Sequence, residues 1–182
     1  MHFHPDTVQS RADTPLGPVR LAASPAGLCG LWFEGQKHLP AQLGGAGAWP
    51  MAPAHPVLAA AAVQLGDWLR GERHGFDLPL DLSGGTPFQQ AVWHALLGIA
   101  WGQTLSYGQV ARIAGTAAAV RAVGAAVGRN PISLVVPCHR VLGANGALTG
   151  YAGGLERKHA LLAMEAAAPL APGARTAARL AA

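Results

Sequence analysis

A cysteine, a histidine and an arginine stand side by side at positions 138 to 140, directly after the apolar run 132–136. The thiolate is the reactive form of cysteine, and a partly exposed turn with cationic neighbours favours it over the neutral thiol. Segment 137–141 therefore predicts an activated nucleophile at Cys138. The alternative is a small buried cysteine beside a surface histidine, because free cysteine is among the most buried residue types.

Composition limits the classes of protein in which this thiol could act. The 182 residues suffice for one well-buried domain or two small ones, and no apolar run approaches the ~20 residues that a membrane-spanning helix needs. Residues 1–6 lack the basic stretch and apolar core of a secretory signal. Two cysteines are too few for a disulfide scaffold, and a working thiol suits a reducing compartment. These features predict a cytoplasmic protein without a membrane partner.

Positive charge is concentrated in the second half of the chain. Residues 1–83 hold five basic and seven acidic side chains, a balance of −2, whereas residues 84–182 hold eight and two, a balance of +6. Residues 84–155 contain no acidic side chain and four arginines, at positions 112, 121, 129 and 140. Such a surface predicts a polyanionic partner, with nucleic acid the first candidate. The alternative is that an alanine-rich composition removed the acidic residues by chance.

Turn-rich segments divide the chain into three parts. The Asp-Leu-Ser-Gly-Gly string at 81–85 separates an N-terminal domain, 1–83, from a second domain, 84–168. Residues 169–182 are rich in Ala, Pro, Gly and Arg without apolar periodicity, which predicts a disordered tail with weak nonspecific attraction to DNA.

The N-terminal domain reads as mixed α and β. Apolar runs at 18–23 and 27–33, separated by Ser-Pro-Ala, predict a β-hairpin, and apolar residues at helical spacing over 57–70 predict a helix. Its histidines occur in unlike contexts, and Cys29 stands alone in a strand. The sequence therefore predicts no metal site.

Helix starts are clearly marked in the second domain. Thr86 and Ser106 each precede a glutamine three residues on, as in a capping box, so helices are predicted over 87–97 and 107–114. Thr116 is predicted to cap a third helix, 117–127. A short helix, a tight glycine-containing turn and a second helix are typical of a helix-turn-helix.

The candidate recognition helix, 117–127, consists of small residues apart from Arg121. A helix with this surface can approach a groove floor closely but has almost nothing with which to read base edges. It predicts recognition of DNA damage or DNA structure instead of a base sequence.

In these motifs the chain resembles the bacterial-type O6-alkylguanine-DNA alkyltransferases, the methylated-DNA–protein-cysteine methyltransferases. The resemblance extends from about residue 14 to residue 165. It is carried by the strings at 128–131, 137–141 and 151–155, in register with those at 106–109 and 121–124. It implies an α+β fold: a small N-terminal α/β domain with an antiparallel sheet, then a mostly helical, winged-helix-like domain with a helix-turn-helix.

The resemblance also implies catalytic roles. Cys138 attacks the alkyl carbon in a single displacement with guanine as the leaving group, and His139 contacts it through a bridging water. Glu165 orients the histidine, as in other activated nucleophiles. By composition Glu156 is a rival, but it lies in the first turn of its helix, where a carboxylate favours the helix dipole.

Further roles concern DNA and the damaged base. Tyr107 donates to a ring nitrogen of the leaving guanine, Arg121 fills the stack after the nucleotide rotates out, and Asn130 ties the helix pair to the reactive turn. The helix-turn-helix uses the minor groove. The expected DNA contacts are Arg121, Tyr107, Gly108, Thr116 and Arg129. The expected base-pocket residues are Val141, Tyr151 and Ala152.

The implied function is DNA repair by irreversible, single-turnover transfer of an alkyl group from O6-alkylguanine, with O4-alkylthymine a further candidate substrate, to Cys138. A monomer without metal or cofactor is expected. Two alternatives remain open: a lesion-binding protein that transfers nothing, and a thiol hydrolase using Cys138 and His139. Arg129 and Ser133 depart from residues found in some relatives, where glycine and proline stand, and are expected to alter pocket width.

Overall fold

A three-stranded antiparallel sheet forms the N-terminal part of the computed structural model, which describes residues 1–167. The strands lie in the order in which they occur in the chain: β1 (Val8–Ala12), β2 (Val19–Ser24) and β3 (Gly27–Phe33). The predicted hairpin is confirmed as β2 and β3. The sequence does not predict β1, because polar residues occupy its buried positions Gln9 and Ser10.

Helix α1 (Pro56–Leu69) covers one face of this sheet. It buries Leu58, Ala61, Leu65 and Trp68, whose spacing of three to four residues places them on one side of the helix. The helix predicted over 57–70 is confirmed with each end shifted by one residue, within the usual uncertainty of helix ends. Gly71 follows at a φ of 74°, a conformation that glycine adopts without strain.

Capping boxes determine where two helices of the second part begin. Thr86 precedes α2 (Pro87–Leu97) and Ser106 precedes α3 (Tyr107–Ile113), and in both boxes the two reciprocal hydrogen bonds are formed. Both predicted starts are confirmed. The last described helix is α5 (Leu155–Ala167).

Helix α4 (Val120–Gly128) starts three residues later than predicted. The Thr116 hydroxyl does not cap it but donates back to the carbonyl of Ala111 at 3.5 Å. The Ala119 N–H donates to Thr116 O at 2.8 Å, which closes a turn before the helix begins. The helix-turn-helix pattern of α3 and α4 is confirmed with a longer turn than the sequence predicts.

Two strand contacts hold the reactive segment in place, and the sequence predicts neither. A short parallel pair joins β4 (Leu105–Ser106) to β5 (Val141–Leu142), the residues directly after the 3-10 turn Cys138–Arg140. On the other side, the Leu31 N–H donates to Pro131 O and the Ser133 N–H donates to Leu31 O, both at 2.9 Å. The edge of the N-terminal sheet therefore fixes the chain that leads to Cys138.

One hydrophobic cluster unites both parts of the described chain. It includes Leu31 and Trp68 from the first part and Trp93, Val123 and Leu161 from the second. The Trp93 indole N–H also donates to Ala126 O at 2.9 Å, which fastens α2 to α4. The domain boundary at 83/84 stays a prediction.

No helix within residues 1–167 is long and apolar enough to cross a membrane. The predicted tail, 169–182, lies outside the described residues.

The close approach of Gly30 to the Trp32 ring, both in β3, leads to a stability prediction. A Cβ at Gly30 would lie 1.9 Å from the Trp32 ring, which is itself packed against Phe3 and Trp49. We expect Gly30→Ala to lower the free energy of unfolding by about 1–3 kcal/mol through overpacking, measured by urea denaturation. Gly44→Ala is the matched control, because nothing lies within 4 Å of its Cβ position. Equal stability of the two variants would contradict the packing described.

Candidate active site

The reactive turn is buried, contrary to the partly exposed turn that the sequence predicts. Cys138 is 4% exposed and His139 is fully buried, so the histidine is not a surface residue either. Burial raises the pKa of the Cys138 thiol to about 11, although a hydrogen bond from Asn130 and the charge of Lys158 act in the opposite direction. The cationic neighbours therefore do not produce a thiolate at neutral pH in the DNA-free protein.

Asn130 joins the end of α4 to the thiol. Its amide nitrogen donates to Cys138 Sγ at 3.0 Å and to Val136 O at 2.7 Å, while its amide oxygen accepts the Ile132 N–H at 3.0 Å. Between these partners the chain turns sharply at Leu134, which has a φ of 72°. That conformation is unfavourable for a residue with a Cβ, so surrounding contacts have to maintain it.

A buried carboxylate contacts both residues after the thiol. His139 Nε2 lies 2.9 Å from Glu165 Oε1, and Arg140 donates from Nε to both carboxylate oxygens at 3.0 Å. The Gly102 N–H adds a donor to Oε2 at 3.1 Å. Burial by itself raises the pKa of Glu165, but the hydrogen bonds and charges of His139 and Arg140 outweigh it and lower the pKa to about 2. Glu156, the rival carboxylate, is exposed in the first turn of α5.

His139 is uncharged at neutral pH. Burial lowers its pKa most, and the positive charges of Arg140 and Lys158 lower it further, against the opposing effect of Glu165. When Nε2–H donates to Glu165, Nδ1 carries the lone pair, and this atom has no hydrogen-bond partner within residues 1–167. Its free nitrogen can therefore accept a proton.

The predicted base-pocket residues are shielded from solvent to different degrees. Val141 and Tyr151 are buried, and Ala152 is half-buried. The Tyr107 hydroxyl donates to Thr149 O at 3.3 Å, at the end of the loop that precedes Tyr151. Burial raises the pKa of Tyr107, so its hydroxyl keeps its proton and can act as a donor.

The predicted DNA contacts lie on α3 and α4 or directly beside them. Arg121 and Arg129 are exposed at the first turn and the C-terminal end of α4. Gly108 and Thr116 are half-buried, and a Cβ at Gly124 would lie 3.8 Å from the Tyr107 ring. Helix α4 thus passes directly beside the tyrosine expected to face the base.

Comparisons with known proteins agree with this geometry. Residues 87–167 match the family described as 6-O-methylguanine DNA methyltransferase, DNA binding domain. A methylated-DNA–protein-cysteine methyltransferase of Mycolicibacterium paratuberculosis is 47% identical over 153 residues, which are 84% of this chain and 88% of the relative. The chain belongs to the methylated-DNA–protein-cysteine methyltransferase family.

Solved structures support the same membership. The Mycobacterium tuberculosis protein OGT, solved in complex with DNA, is 44% identical with a TM-score of 0.77, over 87% of this chain and 92% of that one. The O6-methylguanine-DNA methyltransferase of Pyrococcus kodakaraensis is 26% identical with a TM-score of 0.60, over 87% and 98%. The predicted family, α+β fold and methyltransferase class are confirmed, and alkyl transfer to the protein's own cysteine is favoured over lesion binding alone.

Sequence reasoning missed Lys158 in this methyltransferase, and it missed that Arg140 pairs with Glu165. Arg140 holds Glu165 and also donates to Ile99 O at 2.6 Å, and fully buried Lys158 donates to Val141 O at 2.5 Å and Thr149 O at 2.7 Å. Burial lowers the pKa of Lys158 to about 8, while Cys138 raises it. The sequence did contain a signal for Lys158. It lies three residues before Leu161 and seven before Glu165, which places all three on the buried face of α5.

Possible metal ligands are dispersed. No group of three or more His, Cys, Asp or Glu side chains in the described part of the chain could hold a metal ion.

The depressed pKa of Glu165 makes stability depend on pH. A carboxylate with a pKa of about 2 when folded and 4.5 when unfolded contributes about 3 kcal/mol above pH 4.5, and this contribution is lost as pH falls from 4.5 to 2. We expect Glu165→Gln to destabilise the protein most at pH 7, because Arg140 then loses its buried partner. The difference from the unmodified protein should shrink below pH 4.5.

Urea denaturation at pH 7, 5, 4 and 3 measures this change. Glu72→Gln is the control, since Glu72 pairs with Arg70 on the surface and its replacement should matter little. A Glu165→Gln deficit that stays constant from pH 7 to pH 3 would show that folding does not lower the pKa of this carboxyl.

Proposed function

We propose that this protein repairs O6-alkylguanine in double-stranded DNA by moving the alkyl group, once, onto the sulfur of Cys138. The observation that carries the proposal is a buried thiol beside an uncharged histidine that a carboxylate orients. A base held by an orienting acid is the usual arrangement for activating a weak nucleophile. Asn130 holds the sulfur itself through its amide N–H.

The proton of the thiol has to leave as the sulfur attacks. With a pKa of about 11, only about one thiol in ten thousand is ionised at pH 7. Neutral His139 accepts this proton at Nδ1, through the bridging water expected from the sequence, and Glu165 stabilises the imidazolium that forms. The sulfur–carbon bond forms as the bond from carbon to guanine O6 breaks, and guanine takes the electron pair.

The leaving guanine is stabilised by a donor. The Tyr107 hydroxyl, now bonded to Thr149 O and Gly150 O at 3.3 and 3.4 Å, can turn to a ring nitrogen of the base. A hydrogen bond donated there, with the hydroxyl keeping its proton, stabilises the negative charge that guanine acquires. The thioether at Cys138 has no route to hydrolysis, so the protein is consumed by one reaction.

Base extrusion is proposed for Arg121. The reacting atom cannot be reached inside a duplex, and Arg121 is the long side chain of an otherwise small-residue α4 surface. Such a helix suits the shallow approach of a minor-groove binder. Gly108, Thr116 and Arg129 add contacts along the same face.

We also propose that the protein acts as a monomer in the cytoplasm. All the proposed catalytic groups come from one chain. Both cysteines, Cys29 and Cys138, are free and buried, as a reducing compartment requires.

The proposal predicts a stoichiometric mass change. Incubated with a duplex holding one O6-methylguanine, the protein should gain one methyl group on the peptide that contains Cys138, in a one-to-one ratio, as measured by mass spectrometry. Cys138→Ala should retain DNA binding and lose transfer entirely. Cys29→Ala, the matched buried cysteine, should transfer normally. Continued turnover, or a methyl group found elsewhere, would contradict single-use transfer to Cys138.

The role of Arg121 predicts a dependence on the form of the substrate. Arg121→Ala should slow transfer from a duplex by about tenfold or more, because unstacking a base costs a few kcal/mol and its replacement in the stack is lost. Transfer from free O6-benzylguanine, which needs no extrusion, should be unchanged.

Single-turnover rates at saturating DNA make this measurement. Arg112→Ala removes an equal charge from the exposed surface of α3 and should leave the saturated rate unaltered. If Arg121→Ala lowered the transfer rate equally with free base and with duplex, Arg121 would instead be needed for the structure of the base pocket.

A further inference from the structure

We propose that Arg157 is a positioning residue that fixes the base-pocket loop, residues 150–154, against the N-terminal sheet. The inference rests on the proposed function, because this loop carries Tyr151 and Ala152, two of the residues expected to line the pocket. Arg157 lies in the first turn of α5 and is not among the residues proposed to contact DNA.

The guanidinium of Arg157 connects three parts of the chain. Nη1 donates to Gly153 O at 2.8 Å, and Nε donates to Leu16 O at 2.7 Å. Its central carbon lies 4.7 Å from the centre of the Phe33 ring, at the end of β3. A planar fork can make two directed bonds while it stacks on an aromatic face, which lysine cannot do.

The N-terminal part is shaped to receive this side chain. A Cβ at Gly17 would lie 3.1 Å from Arg157 Nη2, and Gly17 has a φ of 101° that side-chain-bearing residues rarely adopt. The turn between β1 and β2 therefore leaves room for the guanidinium. Leu16 O and the Phe33 ring belong to the sheet region, so these two contacts fix the guanidinium of Arg157 relative to the sheet.

The loop has few other supports on this side. An open cleft of about 470 Å³, lined by residues 35–37 and 150–155, separates it from the chain after β3. The Lys37 N–H crosses this cleft to Ala152 O at 3.1 Å. A Cβ at Gly153 would lie 2.7 Å from the Tyr151 ring and 3.2 Å from Phe33, so a shift of Gly153 moves directly into Tyr151. The Arg157 bond to Gly153 O thus sets where Tyr151 lies.

A displaced pocket wall should impair the chemical step more than DNA binding. We expect Arg157→Met to lower the single-turnover rate at saturating duplex about tenfold to a hundredfold, because misplacement of about 1 Å has effects of that size. DNA affinity should stay within about twofold, since the guanidinium already donates to two backbone carbonyls of the protein. The rate with O6-benzylguanine relative to O6-methylguanine in the same duplex should rise, because a loosened wall admits the larger group more easily.

The experiment uses the full chain and begins with the unmodified protein on both duplexes. Arg157→Lys is the second variant: it keeps the charge and a single donor nitrogen, and it should have an intermediate rate. Arg70→Met is the control, because Arg70 forms ion pairs with Asp67 and Glu72 on the surface at the end of α1. Thermal melting followed by circular dichroism establishes that each variant is folded at the assay temperature.

The outcomes separate this inference from the function on which it rests. Failure of the unmodified protein to transfer would overturn the proposed function. If it transfers, and the folded Arg157 variants match its saturated rate and its benzyl-to-methyl ratio, the positioning role is overturned. A loss of DNA affinity with an unchanged saturated rate would also overturn it, by making Arg157 a DNA contact. If the methionine variant unfolds, the rate and ratio of Arg157→Lys decide.

Discussion

The ionised carboxylate of Glu165 is the group on which the active site depends. It is 1% exposed, and burial alone would raise its pKa, yet the hydrogen bonds and charges of His139 and Arg140 keep it ionised, and the Gly102 N–H is a further donor. These bonds tie α5 to the reactive turn and to the loop after α2, where Arg140 also reaches Ile99 O. A buried ion pair contributes little net stability but is costly to break from one side. The same ionised carboxylate that orients His139 therefore also holds the site in one arrangement.

Burial, assisted by the charge of Arg140, keeps His139 neutral beside this carboxylate. A buried glutamate paired with a histidine alone would favour the imidazolium, because the two charges attract. Here burial lowers the pKa of His139 most, and the positive charge of Arg140, which also pairs with Glu165, lowers it further. The histidine is oriented by the carboxylate without being charged by it. That combination leaves it able to accept a proton, and Lys158 then favours the thiolate that remains.

Local signals in the sequence predicted local structure well. The capping boxes at Thr86 and Ser106 gave the starts of α2 and α3, because their partners lie three residues away. The start of α4 was predicted three residues too early, because the Thr116 hydroxyl donates to Ala111 O and does not cap the helix. The local sequence does not distinguish these two hydrogen bonds. The roles of Arg140 and Arg157 were missed for a related reason. Their partners Ile99 O and Leu16 O are backbone carbonyls 41 and 141 residues away, and carbonyls carry no sequence signal.

The exposure of Cys138 was the expectation that failed, and the failure clarifies the chemistry. Cationic neighbours lower a thiol pKa when water can solvate the thiolate, whereas here burial dominates and raises it to about 11. A permanently ionised thiol would react with any small electrophile that reached it, and each such event would consume one molecule of a single-use protein. A neutral, buried sulfur avoids that loss in the proposed mechanism. It becomes nucleophilic only as His139 takes its proton while the sulfur attacks a bound electrophile. In the proposed mechanism, the extruded base brings the electrophile to the sulfur. Reactivity therefore depends on occupation of the pocket and not on the resting charge of the thiol.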